Sequence, residues 1–391
     1  MTCKPLALTW SLSTISGYGN YGIHLALQFI RRGGEKFITT QTPALTVMPT
    51  LTQVRIDPIL EQGKKIAHFL RENPNERLAF DHAVLHAVGN ECAGFEGQDR
   101  ISGTLNVGCA AIEHINFGQQ GLEYAKNYDV FIAISRWNEA FLKNLDLAPV
   151  HLCHQGIDTS LFAPGGNSGL WKDRFVVFSG GKFEFRKGQD IVTAAFKRFH
   201  ARHPEAFLVT CWQNLLPVDP VPFALAGYCQ TVPQIDNENR LQVAPWLFEQ
   251  DLPMGSFLDI PYTPNMFMPS ILRECNAALF PSRGEGGTNL VAMEAMACGI
   301  PTLVANNTGQ KDLVAELDCI ALQNQRPVKA STGMPTLEDW GESDLDEIDD
   351  ALEKIYTSHE ESRQKALVVA EEIKSWDWAP KNEKLLKIVC D

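Results

Sequence analysis

The sequence lacks the features of a membrane-spanning or secreted protein. No apolar run approaches the ~20 residues needed to cross a bilayer, and residues 1–12 hold one cation before a glycine-rich turn, unlike a secretion signal. The ten cysteines form no CxxC pair and have no regular spacing. In a chain of 391 residues this pattern indicates reduced thiols and argues against a disulfide framework or a cysteine-bound metal. We therefore expect a cytoplasmic protein.

Positive charge is also scarce. The formal net charge is −13. Residues 1–165 carry 13 Lys and Arg against 15 Asp and Glu, whereas the remainder carries 21 against 32. Because an acidic chain without a basic stripe does not attract a phosphate backbone, we expect no nucleic-acid partner. The near-neutral N-terminal part allows at most peripheral contact with a membrane surface.

Short apolar runs alternate with longer amphipathic runs, which is typical of parallel sheets covered by helices. A chain of this length exceeds one ordinary core, and the turn-rich segment Phe162–Gly169 is the best domain boundary. We predict an α/β protein with two Rossmann-like domains, residues 1–165 and 166–375, and a final helix at 376–391 that packs back on the first domain. Trp376 and Trp378 are expected to pack between domains rather than stack on a substrate.

The predicted strands fall into two series, one in each half of the chain. The first series is Leu6–Leu12, Lys36–Thr40, Ala83–Val88, Gly103–Ile112 and Val130–Ser135. The second is Phe175–Ser179, Ala206–Trp212, Gly255–Ile260, Ala277–Pro281 and Pro301–Ala305. Amphipathic stretches with helical spacing separate them, such as Ile23–Arg32, Pro58–Glu72, Asp190–His200 and Asn289–Ala297.

The segment from Phe280 to Pro301 carries the strongest functional pattern. A strand leads through a glycine-rich loop into a helix for which Thr288 is a suitable N-cap, and exposed amides at a helix start favour a diphosphate. Glu285 and Glu294 bracket that site, and carboxylates accept hydrogen bonds from sugar hydroxyls. A ligand that carries both a diphosphate and sugar hydroxyls would fit this site. The alternative is a surface loop with a solvated Glu285 and with Glu294 at the edge of the core.

A second cluster follows the first strand of the second half, where open α/β sheets bind ligands. Lys182 and Lys187 lie in this segment, Phe178 to Asp190. Their charges would neutralise a departing diphosphate without proton transfer. A cationic turn is usually only solvated, so this cluster is weak support when taken alone.

Together the two segments resemble the retaining, nucleotide-sugar-dependent glycosyltransferases of the GT-B fold, the group 1 family that includes glycogen-synthase-like and mannosyltransferase-like enzymes. The family's Glu-Ala-Met-Ala-x-Gly-x-Pro is matched by residues 294–301, and its Gly-Arg…Lys-Gly by Gly181-Lys182 and Lys187-Gly188. The segment 154–164, with Gly-Ile-Asp…Phe-Ala-Pro, resembles the family's hinge segment. The resemblance covers about residues 125–390, and the first 120 residues match more loosely.

The resemblance implies roles for particular residues. Glu294 would bind the nucleotide ribose, Glu285 a donor-sugar hydroxyl, and Lys182 with Lys187 the diphosphate. The loop amides would support the diphosphate at Gly287, Thr288, Asn289 and Leu290. In the first half, the glycine loop with Gly17 and Gly19 would contact the donor. Either Glu113 or His114 would lie near the reaction centre, and which of the two does so stays open.

The implied partners are a nucleoside-diphosphate sugar, such as a UDP- or GDP-hexose, and an acceptor that is a saccharide, a lipid-linked saccharide or a protein. No Asp-x-Asp follows a predicted strand, so we expect no metal and no other cofactor. One departure from the family is visible, since eight residues rather than seven separate Glu285 from Glu294. The role of Glu285 is therefore less secure than that of Glu294.

Two further patterns could indicate other functions, but each lacks a residue that its chemistry needs. Gly17, Gly19 and Gly22 spell GxGxxG, but the next predicted strand, Lys36–Thr40, does not end in the acidic residue that a dinucleotide-dependent oxidoreductase needs. His82 and His86 are spaced like a metal pair but have no evident third ligand. A nucleotide-sugar epimerase and a non-catalytic nucleotide-sugar-binding protein remain the alternatives on the same fold.

Overall fold

The computed structural model describes residues 4–214, 217–328 and 337–390. It contains two six-stranded parallel sheets, each covered by helices, so the predicted α/β class with two Rossmann-like domains is confirmed. We call the unit built on the first sheet the N-terminal domain and the unit built on the second the C-terminal domain.

The N-terminal domain contains eight strands and four helices. The strands are β1 (Leu6–Leu8), β2 (Phe37–Thr39), β3 (Leu78–Ala79), β4 (Ala83–Val88), β5 (Ile101–Ser102), β6 (Leu105–Ala110), β7 (Val130–Ala133) and β8 (Val150–Leu152). The helices are α1 (Gly17–Arg31), α2 (Thr50–Glu72), α3 (Gln119–Ala125) and α4 (Arg136–Leu145). The sheet order is β2-β1-β4-β6-β7-β8, and β3 pairs with β5 apart from it.

The C-terminal domain repeats this plan. Its strands are β9 (Phe175–Lys182), β10 (Ala206–Gln213), β11 (Phe257–Asp259), β12 (Ala277–Phe280), β13 (Thr302–Ala305), β14 (Ile320–Leu322), β15 (Gln325–Pro327) and β16 (Gly341–Ser343). Its helices are α5 (Gln189–Arg202), α6 (Val221–Ala226), α7 (Val243–Glu249), α8 (Met268–Leu272), α9 (Leu290–Ala297), α10 (Lys311–Glu316), α11 (Leu345–Thr357) and α12 (His359–Glu372). The last helix, α13 (Trp378–Cys390), packs on the N-terminal domain. The sheet order is β11-β10-β9-β12-β13-β14, with β15 antiparallel to β16.

Every predicted strand is present, although most are shorter than expected. Residues Gly103–Ile112, for example, form a strand only from Leu105 to Ala110, and the Ile112 amide donates instead to the Asn138 side chain. The sequence did not predict β8 and β14, which are three-residue strands at sheet edges. Runs of three residues are too short to show a distinct apolar pattern.

Two crossings of the chain connect the domains, and they lie side by side. The Ile157 amide donates to the Trp376 carbonyl at 3.0 Å, and the Trp378 amide donates to the Ile157 carbonyl at 3.0 Å. Beyond this point α13 packs on α1, where the Trp378 ring stacks on Tyr21 at 5.6 Å between centroids. Both tryptophans are buried, so their predicted packing role is confirmed.

Candidate functional site

The carboxyl ends of both sheets face a shared boundary between the domains. The Ser135 hydroxyl, just after β7, donates to the Gly286 carbonyl of the opposite domain at 2.7 Å. The Asn265 amide donates to the Thr14 carbonyl at 3.0 Å. Since ligands of parallel α/β sheets bind at these strand ends, the boundary is the candidate site.

A short cationic segment follows β9, and we call residues 182–188 the cation loop. It ends in a tight turn at Gly188, whose φ of 71° favours glycine, and α5 begins at the next residue. The Lys187 ammonium lies 2.6 Å from one oxygen of Glu285, and the Arg186 guanidinium lies 2.6 Å from the other. The cation loop and the glycine-rich loop are thereby joined by a buried ion-pair group.

Arg186 is central to this group, and the sequence analysis did not identify it. Its guanidinium also contacts Glu184 at 2.7 Å and Glu113 of the N-terminal domain at 2.9 Å. The only signal in the sequence was its position beside Lys187. The fold turns both side chains inward because they lie on one short 3-10 turn.

Lys182, predicted to bind the diphosphate together with Lys187, contacts neither Lys187 nor Glu285 in this structure. The Lys182 side chain is 63% exposed, and its nearest carboxylate, Glu184, is 3.9 Å away. Lys182 is the last residue of β9, and its side chain is exposed to solvent. Arg186 instead occupies the position beside Lys187.

The carboxylates of the group differ in their electrostatics. Burial by itself would raise the pKa of Glu285, but Lys187 and Arg186 outweigh it and hold that pKa below its ordinary value. Burial raises the pKa of Glu113, and Arg186 only partly opposes this effect. Glu285 is therefore the more firmly ionised of the two.

The glycine-rich loop, residues 281–289, is fixed by a second buried cation that the sequence analysis missed. Arg283 is fully buried and donates to both oxygens of Asp190, at 2.8 and 2.7 Å. It also lies 3.0 Å from Glu342. A bidentate pair of this kind sets orientation as well as energy, so Arg283 anchors the loop beside the start of α5.

The N-cap of α9 is Asn289, not the predicted Thr288. The Asn289 backbone is left-handed, with φ 67° and ψ 84°, and its side-chain oxygen accepts from the Ala292 amide at 3.4 Å. Thr288 instead directs its hydroxyl to the Met293 sulfur at 3.2 Å. Asn tolerates this backbone better than Thr because Thr is β-branched. The sharp turn at Asn289 lies within the stretch that is one residue longer than in the family.

The glycines of this loop accommodate protein groups at close range. A Cβ on Gly286 would lie 2.5 Å from the Ile112 carbonyl oxygen, and one on Gly284 would lie 2.5 Å from the Trp340 ring. A Cβ on Gly287 would lie 3.0 Å from Ile134. Gly284 and Gly286 therefore allow other parts of the chain to approach the loop closely.

The glycine loop of the N-terminal domain also differs from expectation. The Gly19 amide donates to the Ser16 hydroxyl at 3.1 Å, and a Cβ there would lie 2.5 Å from Ser13. The Gly19 amide is therefore engaged in the cap of α1 and its backbone packs against Ser13, while a contact of Gly19 with the donor stays a prediction. A Cβ on Gly17 would lie 3.6 Å from Leu290, so the start of α1 faces the start of α9.

Glu294 lies on the buried side of the cleft, on α9. Its carboxylate accepts from the Asn265 side-chain amide at 2.7 Å. Burial raises the pKa of Glu294 to about 7, and the Asn265 hydrogen bond only partly opposes this shift. Asn265 precedes Glu294 by 29 residues in a loop, so no local pattern could have identified it.

The loop after β6 brings Glu113, but not His114, to the ion-pair group. The Asn90 side-chain oxygen accepts from the Glu113 amide at 2.7 Å and from the His114 amide at 3.3 Å. The Trp340 indole donates to the Glu113 carbonyl at 2.7 Å, which ties this loop to the C-terminal domain. The Nδ1 atom of His114 is buried and has no hydrogen-bond partner among the described residues.

The other candidate ligands are engaged elsewhere. The His82 ring bonds to Asp81 at 2.9 Å and the His86 ring to Asn106 at 3.3 Å. An Asp-x-Asp, residues 344–346, does follow a strand, β16, which the sequence analysis had not predicted. Asp344 caps α11. Within residues 4–214, 217–328 and 337–390, no group of three His, Cys, Asp or Glu could hold a metal ion.

No helix in the described part of the chain is both long enough and apolar enough to cross a membrane.

A family model described as "Family 4 Glycosyltransferase in conflict systems" matches residues 262–385. The curated D-inositol 3-phosphate glycosyltransferase 1 of Catenulispora acidiphila is 30% identical over 164 residues, 40% of this chain and 35% of that protein. The match thus spans about a third of the curated relative's length.

Solved structures match over the whole chain. Sucrose-phosphate synthase from Thermosynechococcus elongatus has a TM-score of 0.65 at 17% identity, covering 98% of both chains. HepE from Anabaena, in complex with UDP and glucose, has a TM-score of 0.62 at 14% identity, covering 99% of both chains. At these identities the structural matches establish the fold alone. The chain therefore has the GT-B fold, and its residues 262–385 are similar to family 4 glycosyltransferases.

Proposed function

We propose that the protein transfers a hexose-type sugar from a nucleoside-diphosphate sugar to an acceptor with retention of anomeric configuration. The observation that carries this proposal is the pair of buried cations, Arg186 and Lys187, held by Glu285 at the carboxyl edge of the C-terminal sheet. Two cations at this edge suit a diphosphate. HepE, which shares the fold, was solved with UDP and glucose, and this favours a UDP-sugar among the candidate donors.

Transfer breaks the bond between the anomeric carbon and the diphosphate oxygen and forms a bond from that carbon to an acceptor hydroxyl oxygen. The hydroxyl proton passes to the departing diphosphate. Arg186 and Lys187 stabilise the charge that develops on the leaving group. Their Coulomb attraction to Glu285 weakens as phosphate oxygens take its place, so Glu285 becomes available to a donor-sugar hydroxyl. Glu294 binds the ribose, and Glu113 faces the reaction from the N-terminal domain.

The proposal is tested with purified protein and UDP-, GDP- and ADP-sugars. A donor should raise the melting temperature, because a ligand that binds only the folded state stabilises it. The same donor should be hydrolysed slowly when no acceptor is present, with release of the nucleoside diphosphate. Hydrolysis separates a transferase from a binding protein, and conversion to a new nucleotide sugar without diphosphate release would indicate an epimerase. If none of the donors raises the melting temperature, the proposal is contradicted.

Retention is tested on the sugar released by hydrolysis or transfer. Proton NMR of the first product formed reports the anomeric coupling constant before mutarotation. The same configuration as in the donor supports retention, and the opposite configuration contradicts it.

A further inference from the structure

Positive charge is almost missing from the N-terminal side of the cleft. The loops at the carboxyl edge of the first sheet are residues 9–16, 40–49, 89–100, 111–118, 134–136 and 153–164, all within the described chain. They contain two arginines and no lysine. Arg100 donates to the Leu70 carbonyl at 2.9 Å and to two further carbonyls near the end of α2. Arg136 pairs with Asp312 and Glu316 of the C-terminal domain.

The same edge presents carboxylates and an aromatic ring. The Phe95 side chain is 49% exposed, and its ring rests edge-on against Tyr18 at 5.7 Å between centroids. Tyr18 is itself held by a hydrogen bond to the Cys109 carbonyl at 2.7 Å. The exposed ring therefore has a rigid support.

Phe95 belongs to the loop that holds Glu113. Asn90 of this loop accepts from the amides of Glu113 and His114, and Glu91 follows it with a left-handed φ of 55°. The loop is thus continuous with the residue that contacts Arg186. An acceptor lying on Phe95 would be beside the proposed site of leaving-group departure.

We infer that the acceptor is a carbohydrate without phosphate or carboxylate groups, bound on the Phe95 ring with its hydroxyls directed to Glu91 and His114. This inference rests on the proposed function. An aromatic ring covers the apolar C–H face of a sugar, and a carboxylate or a neutral imidazole accepts hydrogen bonds from its hydroxyls. A phosphate ester would bring negative charge close to Glu91 and Glu113, with no available lysine or arginine on that side to offset the repulsion.

The transfer step then has a defined second substrate. A sugar hydroxyl oxygen bonds to the anomeric carbon of the donor, the bond from that carbon to the diphosphate breaks, and the hydroxyl proton leaves with the diphosphate. No oxidant, reductant or further reactant is needed.

The test of this inference measures the rate at which the nucleoside diphosphate is released. The donor is the nucleotide sugar that raises the melting temperature of the protein. The acceptor probes are unphosphorylated mono- and oligosaccharides, each paired with its phosphate ester. We expect unphosphorylated sugars to raise release above the hydrolysis rate and their esters to raise it less or not at all. Stimulation by esters alone, or by no unphosphorylated sugar, overturns the inference.

The variant Phe95→Ala tests the location of the acceptor. We expect the acceptor KM to rise about tenfold or more, which corresponds to the loss of one good contact. Phe248→Ala is the matched control, because Phe248 is 46% exposed and lies on α7, outside the cleft. An unchanged acceptor KM in Phe95→Ala contradicts the location.

The two proposals fail differently. Absence of both donor binding and hydrolysis contradicts the proposed function, and the inference with it. An enzyme that hydrolyses its donor but accepts only phosphate esters contradicts the inference alone.

Discussion

At the scale of single residues, the site is organised by ion pairs between cations and carboxylates that lie far apart in the sequence. Glu285 meets Arg186 and Lys187 across about a hundred residues, and Glu113 reaches Arg186 from the other domain. These pairs are buried, where the Coulomb interaction is stronger than in water. Replacement of one partner therefore changes the charge available to a diphosphate.

Lys187→Ala should lower turnover about 10²–10³-fold, as loss of one preorganised donor to a transition-state charge typically does. Lys182→Ala is the matched control, because Lys182 is exposed and unattached to the group. We expect it to have a much smaller effect on kcat. Steady-state kinetics with the active donor measures kcat of both variants. Equal losses of kcat would contradict the assignment of Lys187 to leaving-group stabilisation.

The two glutamates should respond differently to replacement by glutamine. Glu294 lies on a packed helix, so its ribose bond should be equally strong in the ground and transition states, and Glu294→Gln should mainly raise the donor KM. Glu285→Gln should mainly lower kcat, because its bond strengthens as the anomeric carbon becomes positive. Circular dichroism confirms folding of each variant. The assignment fails if Glu294→Gln abolishes kcat while Glu285→Gln leaves it intact.

Donor affinity should increase as pH rises through about 7. The pKa of Glu294 is raised to about 7 by burial, and a ribose hydroxyl donates better to its ionised form. Donor binding therefore favours deprotonation, so the donor KM should fall between pH 6 and 8. The same raised pKa means that the native state holds a proton which the unfolded state has lost between about pH 4.5 and 7, so this group's contribution to stability decreases over that range.

The control for this pH dependence is Glu294→Gln, in which the slope of donor KM against pH should flatten. Asp259, whose pKa burial also raises to about 7, remains in that variant. A slope that persists unchanged would assign the titration to Asp259 or another group.

At the scale of secondary-structure elements, the join between the glycine-rich loop and α9 is the most constrained feature. Asn289 combines a left-handed backbone with a side-chain cap. Asn289→Ala should lower the free energy of unfolding by about 1–3 kcal/mol, from the lost cap and the positive φ. Asn289→Gly should cost less, because glycine accepts this φ. Urea denaturation measures both, and equal losses would contradict the backbone argument.

Element positions were largely predictable, and their ends were not. The alternation of apolar runs located the strands of both sheets except the edge strands β8 and β14, because buried parallel strands are continuously apolar. The cap of α9 was misplaced by one residue, because Thr288 and Asn289 are both capping residue types and only the backbone angles decide between them. The packing of Gly19 against Ser13 was not predictable, because a glycine that packs against the chain has the same sequence as one that contacts a phosphate.

The residues of the candidate site were predictable only where they belong to a local sequence motif. Lys187, Glu285 and Glu294 belong to motifs whose spacing is visible, whereas Arg283 and Asn265 act through partners in other segments. The structure brings Glu113 rather than His114 to Arg186, because the loop after β6 is oriented by Asn90, 23 residues earlier. Long-range contacts of this kind leave no periodic signal.

At the scale of the whole molecule, the proposed diphosphate site contains two cations of the chain itself, Arg186 and Lys187. We therefore predict that transfer persists in EDTA, because Arg186 and Lys187 can take the place of a divalent cation. Activity with and without the chelator is compared at one donor concentration. Loss of activity in EDTA and its rescue by Mn²⁺ or Mg²⁺ would contradict the prediction.

The paired crossings at Ile157 and Trp376 have a consequence for motion. Two adjacent segments joined by 3.0 Å hydrogen bonds behave as a single axis. A rotation of the domains about that line would keep these two bonds, although it would break the bonds of Ser135 to Gly286 and of Asn265 to Thr14 across the cleft. A Cβ on Gly156 would lie 2.7 Å from the Trp378 backbone nitrogen, so even an alanine there would push against this axis. Opening of the cleft should therefore be a swing about a fixed line.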